Sequence, residues 1–155
     1  TGTKNSTTFL RGDNTFAAPS GGKVLQVLTA TDSTTRTTTS TSYVTASNTL
    51  SVDITPSATS SKILILASSA IQTSGNAGYF TIYRDSTNLG ATNGMAAAYD
   101  GAVGTYQNFG LNFLDSPSST SAITYQVYFK SASAVTSSLN LNSTKGSITC
   151  LEIGA

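Results

Sequence analysis

The chain contains no histidine and no tryptophan, and only one cysteine. Without histidine there can be no Ser-His-Asp triad, no Cys-His nucleophile pair and no imidazole metal ligand. Cys150 cannot close an internal disulfide by itself. Its place between Thr149 and Leu151 in an alternating run reads as a small buried hydrophobe rather than a nucleophile. Charge is scarce as well: Asp, Glu, Lys and Arg make up 10% of the residues and leave a net +1. So weak a field neither holds a nucleic-acid backbone nor draws the chain to an anionic membrane. No run approaches the roughly 18 consecutive apolar residues of a membrane span, so membrane insertion is not expected. The acids Asp13, Asp32, Asp53, Asp85, Asp100, Asp115 and Glu152 fall mostly at expected turns and strand ends. None of their spacings singles out the carboxylate pair of a glycosidase. No glycine-rich phosphate loop opens a helix, and no calcium loop of alternating Asp and Asn is present. These absences argue against an enzyme and give no reason to expect a metal or a cofactor.

What the chain has instead is hydroxyl: Ser and Thr make up about a third of it. With Val, Ile and Tyr alongside, this composition favours extended chain over disorder, which would carry more charge and fewer β-branched residues. The clearest periodicity lies in Leu111 to Lys130. Ile123, Tyr125, Val127 and Phe129 alternate strictly with Thr124, Gln126, Tyr128 and Lys130, as in a strand with one face in a core. A turn at Asp115-Ser116-Pro117 precedes this run, and Phe109, Leu111 and Phe113 alternate before the turn. The economical reading is an antiparallel pair joined by a polar loop. The second face of that pair, with Gln126 and Tyr128, is a place for a neighbouring subunit.

Further strands are expected at 23–31, at 43–54 with Leu50, Val52 and Ile54 on one face, at 79–84, around Leu139 and Leu141, and at 147–153. The Thr-rich tract 32–42 reads as a solvated edge strand or loop. Lys62 to Ala67, KILILA, is apolar at every position after the lysine, so it should be buried on both faces, within the domain or at a subunit contact. With KVLQVL (Lys23 to Leu28) it suggests oligomerisation. The Gly- and Ala-rich stretch 91–105 reads as a long loop, because Gly94 and Gly101 hold any helix to under two turns. The sum is an all-β chain of about eight to ten strands, an antiparallel β-sandwich of jelly-roll type. A shaft-end segment and linker, 1–22, precedes the sandwich at 23–155, and Thr1 reads as the middle of a longer chain. Arg11-Gly12-Asp13 matches the integrin-binding string but reads as ordinary turn chemistry.

Several strings, in order, carry a resemblance: STTFLRGDNTFAAPSGGKVLQV (Ser6 to Val27), ITPSATSSKILI (Ile54 to Ile65), IYRDSTNLG (Ile82 to Gly90), FLDSPSSTSAITYQVYFKS (Phe113 to Ser131) and SITCLEIGA (Ser147 to Ala155). Together the chain resembles the C-terminal tip domain of tailed-phage tail-fibre proteins of the marine-phage type. Phe16 stands where that family often has Trp, and Cys150 where it has an apolar residue such as Met. The region 75–106 matches least. The resemblance implies a homotrimer at the end of a virion tail fibre, joined to the rest of the fibre. It also implies attachment to a host cell-surface glycan or outer-membrane protein through exposed loops. A purely structural trimerisation cap and a polysaccharide depolymerase are the alternatives. The expected receptor-binding residues are Tyr79, Met95, Tyr99, Asp100 and Tyr106. The expected trimer-interface residues are Ile63, Leu64, Ile65, Leu66, Ile148 and Cys150.

Overall fold

The computed structural model describes residues 8–10, 12–17, 22–101 and 106–154. Its strands are Phe9–Leu10 (β1), Phe16–Ala17 (β2), Val24–Asp32 (β3), Arg36–Thr38 (β4), Ser51–Ile54 (β5), Lys62–Thr73 (β6), Ala77–Arg84 (β7), Thr87–Asn88 (β8), Ala96–Tyr99 (β9), Gln107–Asp115 (β10), Ile123–Ser131 (β11), Ser137–Leu139 (β12) and Gly146–Ile153 (β13). All pairings are antiparallel, and among the described residues the only helix is one 3₁₀ turn, Leu141–Ser143. The β1–β2 ribbon turns at Asp13, whose carboxylate accepts from the Thr15 amide at 3.1 Å and the Thr15 hydroxyl at 2.6 Å. Asn14 there has φ 61. The Gly12-Asp13 part of the adhesive-looking string is therefore occupied as a turn; Arg11 lies outside the described residues.

The remaining strands form two sheets. In sheet I, β6 is flanked on one side by β13 and β12, and on the other by β10. β3 pairs with β13, and β4 with β12, so β3–β4 and β12–β13 are each one line interrupted by a bend. In sheet II, β11 lies between β5 and β7, and the far edge of β7 carries β8 and β9. The bend in sheet I is organised by Asn140. Its Oδ1 accepts from Ser69 Oγ at 2.8 Å and its amide nitrogen donates to the Thr34 carbonyl at 3.2 Å.

Burial follows the pleat. Along β11 the odd-numbered residues are buried and the even-numbered ones half-buried, as the alternation predicts. β13 alternates likewise, but there the even-numbered residues, Ile148, Cys150 and Glu152 among them, face inward. Both sheets contribute to one core. Phe80 of β7 stacks on Phe129 of β11 (centroids 5.8 Å, interplanar 5°) and on Phe109 of β10 in the opposite sheet (5.6 Å, 30°). Asp115 ties the sheets at one end. It takes both carboxylate hydrogen bonds from Arg84 Nη1 (3.0 and 2.9 Å) and a third from the Tyr125 hydroxyl at 2.6 Å.

Two expectations are corrected. β10 and β11 are not a hairpin: β10 pairs with β6 in sheet I, and β11 with β5 and β7 in sheet II, so 116–122 crosses between sheets. Core alternation alone cannot tell these arrangements apart, since both runs face the same core from opposite sides. The stretch 91–105 is not wholly loop either, because Ala96–Tyr99 forms β9, which pairs with the outer edge of β7. An unpaired row of backbone groups on β7 outweighs the helix preference of three alanines.

Candidate functional site

With the core faces spent on each other, function must lie on the outward faces and the connections. The outward face of sheet II gathers four tyrosines and a lysine. The Val44–Phe129 bridge sets Tyr43 beside Lys130, and Lys130 is in register with Tyr79 of β7, making a Tyr–Lys–Tyr row across β7, β11 and the bridged stretch. Lys130 Nζ lies 4.6 Å from the Tyr43 ring centroid and 5.5 Å from that of Tyr79. Tyr128 and Tyr83 stack at 4.1 Å and 26°, and Tyr83 meets Tyr43 edge-on at 6.0 Å and 60°.

The segment before β9 frames this platform. The Thr92 carbonyl accepts from Lys130 Nζ at 3.0 Å and from the Tyr43 hydroxyl at 3.4 Å. Gly94, at φ +76, lets that segment run close beside β7. A side chain there would collide with the Phe80 carbonyl and the Tyr43 hydroxyl. Burial, then the neighbouring Tyr83 and Tyr79, push the Tyr43 phenol up to about 12. Burial and Tyr128 raise Tyr83 in the same direction.

The outward face of sheet I is built differently. Register places Val27, Leu151, Leu64 and Leu114 in one row across all four lines. Leu66 lies in the next row, and Ile153 and Val24 beyond the other side. Val27 is 55% exposed, Leu114 50% and Leu66 42%. Beside this aliphatic band, Ser68, Gly110 and Ser147 leave a shallow depression edged by Leu66, Asn112 and Thr149. An added Cβ at Gly110 would meet nothing within 4 Å.

The expected site residues separate. Tyr79 joins the platform. Met95 is half-buried against the core, and Asp100 is buried, its amide 3.4 Å from the Asn76 carbonyl. Tyr99 and Tyr106 are each 67% exposed and flank 102–105, which lies outside the described residues. Of the expected interface residues, Leu64 and Leu66 stand on the outward face of sheet I. Ile63, Ile65, Ile148 and Cys150 are fully buried in the chain's own core and have no surface to offer a partner. KILILA is thus buried on one face only within the chain.

Tyr43, Tyr83 and Lys130 were not singled out from sequence. Their signal was present in the residues alternating with core positions, but reading it as one patch required knowing that β7 and β11 pair. Three of the buried acids are held by side-chain and backbone donors: Asp32 by Arg36, Thr34 and Thr49, Asp115 by Arg84 and Tyr125, and Glu152 by Ser57 and Gln26. Among the described residues no group of three or more Cys, Asp or Glu is placed to hold a metal ion. Compared with known proteins, the chain matches no family model and no curated protein.

Proposed function

We propose that the chain is the tip domain of a tailed-phage tail fibre, self-associating as a homotrimer and attaching the virion to a host cell-surface glycan or outer-membrane protein. The observation that carries this reading is the aliphatic band on the outward face of sheet I. Seven apolar side chains, Val24, Val27, Leu64, Leu66, Leu114, Leu151 and Ile153, spread over four strand lines of a chain with very little charge. Contiguous apolar surface rimmed by small hydroxyls is what a protein–protein contact requires. The family resemblance sets the count at three. Strand order supports the jelly-roll form. With the eight lines numbered along the chain, sheet I runs 1-8-3-6 and sheet II 2-7-4-5, so the chain wraps between the sheets as in that fold. Three copies on one rigid tip multiply weak single contacts into useful avidity.

The test has two parts. Light scattering should give a mass about three times 15.9 kDa, and a monomer at micromolar concentration overturns the assembly. Fluorescently labelled protein panned over a panel of marine bacterial isolates should decorate some of them. A stable trimer that decorates none leaves the structural cap as the function.

A further inference from the structure

Among the described residues, the cation of the tyrosine platform has no counter-charge. The ion pairs among the described residues are Arg36–Asp32 and Arg84–Asp115, and neither involves Lys130. Its ammonium has three donors, of which one reaches the Thr92 carbonyl. The acids on the same face, Asp53 and Asp85, are engaged by Thr124, six residues along β11 and so about 20 Å away. Around the ammonium, the phenol hydroxyls of Tyr79, Tyr83 and Tyr128 make no hydrogen bond among the described residues, and the three residues are half-buried. The site therefore offers apolar ring surface, hydroxyls without a partner among the described residues and one half-buried positive charge, most of it on the paired strands β7 and β11.

We propose that this platform binds an anionic pyranose. The C–H face of the sugar would lie over the tyrosines, its hydroxyls would meet the phenols, and its carboxylate or sulfate would pair with Lys130. Resting on the attachment reading above, this narrows the receptor to a charged glycan and moves the contact from the 91–105 stretch to the sheet. A second copy of the chain fits the patch less well. It would have to cover an ammonium and three hydroxyls, and the chain's other apolar face makes no such demand. One lysine is also too little charge to hold a nucleic-acid backbone.

Titration calorimetry on the assembled protein tests the proposal with three oligosaccharides of equal length: an oligogalacturonate, a sulfated galactan and an uncharged galactan. The expected result is binding of at least one anionic probe, about tenfold or more tighter than the uncharged one and weakened by salt. The anionic probe that wins identifies the group on the receptor. Lys130→Gln should remove the preference for charge and leave the mass and circular dichroism unchanged, and Tyr128→Ala should weaken all three probes. Equal binding of charged and uncharged probes overturns the proposal, as does a preference that survives Lys130→Gln. Decoration of bacteria with no binding to any anionic probe sinks this inference alone. Failure to decorate any isolate sinks the attachment reading beneath it.

Discussion

The two outward faces share one pleat and one core, yet they ask opposite things of their surroundings. On sheet I the row Val27, Leu151, Leu64 and Leu114 ends in methyl groups, which water can only penalise and a dry contact can only relieve. On sheet II, Tyr43, Tyr79, Tyr83 and Tyr128 are half-buried and each carries a hydroxyl, with Lys130 among them, so this face can exchange hydrogen bonds with water and suits a polar ligand. The comparison teaches that outward residues of a strand are not one class. An aliphatic at such a position implies exclusion of water, and a tyrosine implies exchange with it.

The largest effect comes from removing what the two faces share. Phe80 stacks on Phe129 within sheet II and on Phe109 across the core. Phe80→Ala should cost about 3–5 kcal/mol of stability, read as a shifted urea midpoint, and should weaken self-association and ligand binding together. A loss below about 1 kcal/mol would mean that the sheets do not depend on one core.

Next comes a change that separates the faces. Leu66→Asp and Leu114→Asp place charge on the aliphatic band, where both side chains are already largely exposed in the single chain. Each should weaken assembly by about 2 kcal/mol, roughly thirtyfold. Together they should yield a folded 15.9 kDa monomer in sedimentation. The monomer should keep its single-site affinity for any ligand of the sheet II face and lose avidity. An unchanged mass would remove sheet I from the interface.

These contrasts show where the sequence was legible. The longer strands and the inward sets of β5, β11 and β13 follow from period-two alternation, because each of these strands meets a core on at least one face; β9 and the 3₁₀ turn at Leu141 do not follow from it. Pairing was not legible. Phe109, Leu111 and Phe113 alternate identically whether β10 joins β11 or β6, and the chain crosses between sheets through a polar stretch that looks like a hairpin loop. For the same reason the platform could not be assembled. Tyr79 and Tyr83 come from β7, Tyr128 and Lys130 from β11, and Tyr43 from an irregular stretch held by a single bridge. KILILA misled in one respect, since continuous apolarity could not say which of its faces the chain itself fills.

A smaller effect sharpens the comparison from beneath sheet I. Glu152 faces inward on β13 and accepts from the Ser57 amide (2.7 Å), the Ser57 hydroxyl (2.6 Å) and Gln26 (2.6 Å). Burial would raise its carboxyl, but the hydrogen bonds from Ser57 and Gln26 prevail and hold it down at about 2, from an ordinary 4.5. A depressed folded value means that this stabilisation is complete above pH 4.5 and drains away as pH falls towards 2. Asp32, lowered by hydrogen bonds from Thr34, Arg36 and Thr49 against its own burial, adds to the same acid limb. Glu152→Gln should cost about 1.5 kcal/mol at neutral pH and flatten that limb. Amide exchange should quicken first around Gln26 and Ser57 and leave β7 and β11 protected. Uniform quickening in both sheets would show that Glu152 supports the whole core and not the edge under the aliphatic band.

The smallest expected effect is none, and it discriminates well. Cys150 belongs to β13 of sheet I, one residue from Leu151 of the aliphatic band, yet its side chain points the other way and is fully buried. Burial pushes its thiol up to about 12, which leaves almost no thiolate at neutral pH. A thiol reagent should therefore label the folded protein only as fast as the core opens. The Leu66→Asp, Leu114→Asp monomer should label no faster than the assembly, because dissociation uncovers Leu151 and not its neighbour. If Cys150 instead became reactive on dissociation, β13 would have to present its other face to the partner. The inward and outward sets of sheet I would then be exchanged, and with them the assignment of the aliphatic band as the contact surface.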